Sequence, residues 1–138
     1  MTSAIYPVYK GNLLAGSANY NLNVDTTTDG PYCALVTAGY TFSTAHQFFS
    51  SVAGNTVGTD QRITAPTITQ GVFDGGDLTY VAVTGATCPF FIIYRHTAGA
   101  NTTWPLVMYY DTPGGGLPIV PNGGNVTIVW NGAGIFAL

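Results

Sequence analysis

The sequence predicts an all-β protein, a single β-sandwich with jelly-roll-like connections and one or two short helices in its N-terminal half. Three observations predict it. Charged residues are only 7% of the 138, and the acids are six Asp with no Glu. Glu and Lys suit helix surfaces, whereas the abundant Thr, Val, Tyr and Phe suit pleated ones. Eighteen Gly and eight Pro supply turns. From residue 62 onward, apolar residues recur with period two in short runs. About seven or eight such strands at roughly ten-residue spacing are the mark of a sandwich or barrel. The length fits one domain spanning 1–138, enough to enclose a core without disulfide or metal staples.

The first 20 residues are the least β-like. Ile5, Tyr9 and Leu13 recur at four-residue spacing, Pro7 suits a first helical turn and Gly16 a helix end, with Gly11 weakening the pattern. The segment reads as a short helix or an ordered arm reaching a neighbour. Tyr32 to Thr37 is apolar without alternation and reads as a strand buried on both faces. In Ser43 to Gly54, Ser43 or Thr44 can cap a helix whose face is Ala45, Phe48, Phe49 and Val52, with Gly54 closing it; this is the strongest helix signal.

Ile68 and Val72 share a face, with Gln70 between them. Leu78, Tyr80 and Ala82 alternate with Thr79, Val81 and Val83. Between these runs, Asp74-Gly75-Gly76-Asp77 reads as a hairpin turn, since Gly accepts positive φ. Phe90 to Tyr94 is expected to be a central strand, followed by a strand from Leu106 to Asp111. A Gly/Pro loop covers Pro113 to Pro118; Val126, Ile128 and Trp130 then alternate with Thr127, Val129 and Asn131, and Ile135 to Leu138 ends apolar.

Net charge is −3, with Lys10, Arg62 and Arg95 scattered along the chain. Nucleic-acid binding needs clustered cations, so it is not expected. No run approaches a membrane span of about 18 apolar residues, and the N-terminus lacks the features of a signal peptide. Cytoplasmic synthesis is therefore expected, and Cys33 and Cys88 read as buried thiols.

A search for chemistry finds little. No Gly-x-Ser-x-Gly or Walker pattern occurs, and Ser43, His46 and Asp60 form a triad only by chance arithmetic. Asp74 and Asp77 read as turn residues bonding backbone. His46 is expected to bond a nearby backbone group and His96 to end a strand at the surface. No metal or cofactor is expected. Trp104-Pro105 and Tyr109-Tyr110 suit a core, an interface or a saccharide platform.

Several segments in order resemble the capsid cement, or head decoration, proteins of tailed bacteriophages. They are Tyr32 to Thr37, His46 to Val52, Asp77 to Tyr80, Phe91 to Arg95, Pro105 to Asp111, and Ile128 to Asn131 leading into Gly134 to Leu138. The resemblance implies a non-catalytic sandwich on the capsid exterior. Its implied partners are the major capsid protein and the chain itself, as a homo-oligomer with trimers slightly preferred over dimers. Tyr6, Tyr9, Trp104 and Pro105 are the candidate subunit or capsid contacts. The competing class is a receptor- or glycan-binding module of a tail or head surface, and an enzyme is the remote third.

Overall fold

The computed structural model describes residues 3–111 and 117–138. The chain is mostly antiparallel β structure with one α-helix, which agrees with the all-β class. The ten described strands are β1 (Ala4–Ile5), β2 (Gly30–Val36), β3 (Thr56–Arg62), β4 (Thr67–Thr69), β5 (Val72–Asp74), β6 (Leu78–Tyr80), β7 (Phe90–His96), β8 (Leu106–Tyr110), β9 (Val126–Ile128) and β10 (Phe136–Ala137). They form a five-stranded sheet in the order β1-β8-β7-β2-β3, a three-stranded sheet β10-β5-β4 and a two-stranded ribbon β6-β9.

The apolar runs take the middle of the large sheet. β2 and β7 pair over their full length, from Gly30 with His96 to Val36 with Phe90. Pairing places Cys33, Leu35, Phe91, Ile93 and Met108 on one face and Ala34, Val36, Ile92 and Tyr109 on the other. Neighbours on opposite faces, such as Ile92 and Ile93, are both fully buried, so both sides of the sheet are covered. Trp130 lies against Phe91 on one face, and Phe42 and Tyr40 against Tyr109 on the other. Continuous apolar runs follow from that double burial.

The N-terminal segment is a docked helix. Its α1 spans Pro7–Leu14 with Pro at the first turn, where the missing N–H has no helical partner anyway. Gly16 closes it at φ 71°, its N–H donating to the Leu13 carbonyl. Ahead of it, β1 pairs with β8, and the Tyr6 N–H reaches the Val107 carbonyl at 3.0 Å. The Tyr9 hydroxyl donates to the Tyr20 carbonyl at 2.6 Å. These bonds tie the segment to its own chain.

The helix expected over residues 43–54 does not form. Phe49 N–H donates to Trp104 O and Leu106 N–H to Gln47 O, both at 2.9 Å, so this backbone is spent on a bridge between Phe48 and Pro105. Phe48 is extended at φ −123°, ψ 155°, and only two short 3₁₀ turns follow, Phe49–Ser51 and Ala53–Asn55. Ser43 Oγ accepts the Ala45 N–H at 3.2 Å, a local turn in place of a helix cap. Of the expected apolar face only Phe49 and Val52 are buried, Phe48 is half-buried and Ala45 is exposed, because tertiary pairing claimed the backbone.

The hairpin expected at Asp74 to Asp77 is also elsewhere. β4 and β5 join through Gln70 and Gly71, at φ 51° and 81°, the two-residue turn that matches strand twist. Residues 74–77 instead carry the chain from one sheet to another, since β6 pairs with β9. Gly75 and Gly76 are there for close approach. A Cβ would stand 2.3 Å from Ile63 Cγ2 at Gly75 and 2.7 Å from Thr64 Oγ1 at Gly76. Strand β3 had no signal in the sequence, because Gly58 and the polar run beside it hide an edge strand. The expected alternation from Leu78 holds through Tyr80 and breaks at Ala82, at φ 49°, after which Val83 turns inward. The Gly/Pro loop over 113–116 lies outside the described residues.

Candidate functional site

Three of the four residues singled out as contacts are core. Tyr6 and Tyr9 are 0% and 1% exposed, and Pro105 is buried in its bridge to Phe48. Aromatic rings three residues apart fit a docked helix as well as an arm, and the hydrogen bonds of Tyr6 and Tyr9 dock this one on its own chain. Trp104 alone shows a surface. Its indole lies parallel to Tyr94, centroids 5.7 Å apart at 9°, with Phe49 at 5.8 Å and His96 at 4.2 Å. The indole N–H donates to Thr97 O at 2.9 Å. A short 3₁₀ turn, Asn101–Thr103, delivers it there. Trp104 is a fixed, half-buried ring with its polar handle already used.

The reactive side chains are likewise spent on structure. His46 Nδ1 meets the Tyr40 hydroxyl at 2.8 Å, and that hydroxyl meets Tyr6 at 2.8 Å, so a tyrosine chain replaces the expected backbone partner. His96 does end β7, half-buried, with Nδ1 3.1 Å from Asp29 Oδ1. Asp60 accepts from the Tyr94 hydroxyl at 2.8 Å, so Ser43, His46 and Asp60 each have other partners and no triad assembles. Burial pushes the Asp60 carboxyl up to about 6, partly offset by that hydroxyl.

Cys33 and Cys88 are free and buried, as expected. Burial raises both thiols, Cys33 to about 12, which keeps the nucleophilic thiolate scarce. Asp74 accepts from Gly75 N–H at 2.9 Å, as a turn residue should. Asp77 instead holds Trp130 N–H at 3.0 Å, joining β6 to the chain after β9. Among the described residues no three His, Cys, Asp or Glu side chains converge as a metal site. No described helix is long and apolar enough to cross a membrane.

What remains is surface. In the β6-β9 ribbon, Leu78, Tyr80 and Ile128 point inward and are buried. The opposite set, Thr79 and Thr127 with Val81 and Val129 beyond them, is exposed. Val81 is 73% and Val129 71% exposed; the same register sets exposed Asp77 opposite Val129 and Asn125 opposite Val81, with Asp77 held by the Trp130 N–H. Beside Val129 a cavity of about 340 Å³ opens, lined by Phe91, Tyr110, Trp130 and Asn131. The ring polar atoms there are already bonded, Trp130 Nε1 to Gly76 O at 3.0 Å and the Tyr110 hydroxyl to Ile135 O. A second apolar cavity of about 250 Å³ lies between α1 and the β10-β5-β4 sheet, lined by Leu13, Ile68, Phe73 and Phe136.

The contact candidates chosen from the sequence did not include this ribbon face. The signal was present, because both alternating sets of residues 126–131 lack charge, and one of them must face outward. No protein-family model and no curated protein matches the chain.

Proposed function

We propose that this chain is a non-enzymatic structural protein that binds other proteins through a β surface built mainly of valine and threonine. In the most specific form of that reading, it is a cement subunit reinforcing the major capsid protein lattice on a tailed-phage head. The observation that carries it is the outward face of β6-β9. A sheet face that meets only water is ordinarily polar and charged, whereas most of this one is Val81, Thr79, Thr127 and Val129, with a single carboxylate, Asp77, at one end and held by the Trp130 N–H. The ordered segments resembling cement proteins support the finer identity. The three sheets support a jelly-roll-like sandwich, with the small sheets as a second layer over the large one. The link from Tyr80 on β6 to the Cys33 carbonyl on β2, at 2.6 Å, joins those layers.

Covering Val81 and Val129 stabilises a contact by about 1.5 kcal/mol each at most. That is modest for one subunit. A homo-oligomer, with a trimer slightly favoured over a dimer, multiplies it by engaging several lattice subunits together. A ligand that prefers the assembled lattice then stabilises it by its differential binding. The test is to heat expanded heads with and without the purified protein. A higher rupture temperature with it is expected, and equal temperatures refute the clamp.

The aromatic cavity beside Trp130 favours a second reading, a glycan-binding module. Specific binding on a glycan array, lost in Trp130→Ala, establishes that reading; an array without specific binding removes it.

A further inference from the structure

The chain contains two Asn-Gly dipeptides, Asn122-Gly123 and Asn131-Gly132. In such a pair the glycine nitrogen can attack the Asn side-chain carbonyl, because no Cβ hinders the approach. All four residues are exposed. Both Asn side chains are held over the backbone in the same way, Oδ1 accepting from Gly124 N–H at 2.9 Å and from Ala133 N–H at 2.8 Å. Those donors polarise each carbonyl toward attack.

The attacking nitrogens differ. Gly123 N–H donates to the Val83 carbonyl at 2.8 Å, which anchors the turn after residue 120 to the end of β6. Gly132 N–H has no hydrogen-bond partner among the described residues. The same motif is therefore restrained at one site and free at the other.

We propose that Asn131 is a site of spontaneous backbone modification, while Asn122 is protected by the fold. The Gly132 nitrogen forms a bond to Asn131 Cγ and gives up its proton. The Cγ–Nδ2 bond breaks and ammonia leaves, closing a succinimide. Water then opens the ring at either carbonyl, giving aspartate or isoaspartate at 131. No oxidant or metal is needed.

The product changes the surface beside it. Asn131 lines the 340 Å³ cavity, whose lining carries no charged side chain. Conversion adds one negative charge there, taking the formal net charge from −3 to −4. The isoaspartate form also inserts a backbone carbon into the turn closed by Gly134 N–H on Asn131 O. This inference does not depend on the cement reading, since it concerns the chain alone.

The test incubates the folded protein in mildly alkaline buffer and follows both peptides by mass spectrometry and anion exchange. A backbone hydrogen bond that must open before attack slows a step by about tenfold, so peptide 131 should convert about ten times faster than peptide 122. In urea the two should converge. Gly132→Ala is the control variant, since its Cβ meets nothing within 4 Å and its φ is not left-handed; it should slow conversion at 131 while the fold persists. Equal rates at both sites in the folded protein overturn the proposal. So does an unmodified Asn131, or a rate ratio that survives unfolding.

Discussion

Replacing Asp60 by Asn should stabilise the protein near neutral pH, and the gain should vanish in acid. Asp60 belongs to β3, opposite the irregularity in its pairing with β2 between Cys33 and Leu35. Its carboxyl accepts from Tyr94 and has Tyr80 and Cys33 near it, with no cation paired to it. Burial raises it from an ordinary 3.8 to about 6. The native state therefore binds more protons than the unfolded chain between those values. Stability from this group is full below about pH 4, falls as pH rises to about 6, and stays lower above that. At about 1.4 kcal/mol per factor of ten in acidity, the whole displacement is worth about 3 kcal/mol.

Asp60 is only partly buried, so about half of that is expected. Asn fits the same space and still accepts from Tyr94. Urea unfolding should show Asp60→Asn more stable than the parent by about 1–2 kcal/mol near pH 7 and equal to it near pH 4. The comparison cancels every contribution that both proteins share. A destabilised variant near pH 7, or a difference that ignores pH, refutes the reasoning.

Further expectations follow from packing. Gly75→Ala should cost about 1–3 kcal/mol by urea unfolding, because its Cβ meets Ile63 Cγ2 at 2.3 Å. Ile93→Ala, at the fully buried centre of the large sheet, should cost about 2–5 kcal/mol in the same assay. Tyr6→Phe should cost about 1 kcal/mol, losing the hydroxyl bond to Tyr40 inside the core. Cys33 should resist thiol reagents in the native protein and react on unfolding; rapid native labelling would contradict its burial and its raised thiol.

The sequence disclosed most where one physical demand dominated. Double burial leaves continuous apolar runs, and β2, β7 and β8 were legible on that ground. Pro7 and Gly16 framed α1 because backbone geometry alone places them. The failures share a cause in long-range pairing. Residues 43–54 carry a helical face, but the chain from Trp104 to Leu106 takes the hydrogen bonds a helix needs. Gln70 gives little warning of a left-handed turn, while the glycines of residues 75–76 suggested one and serve contact with Ile63 and Thr64 instead. At the surface, Trp104 was legible by its ring. The low charge of the β6-β9 ribbon was legible too, but alternation shows two faces without saying which is wet.

Co-sedimentation with expanded phage heads tests the central claim most directly. The protein should pellet with the heads, while a folded variant carrying Val81→Asp and Val129→Asp should remain in solution. If the parent stays behind, or if the variant binds as well as the parent, the valine and threonine face of the ribbon is not the means by which this protein acts.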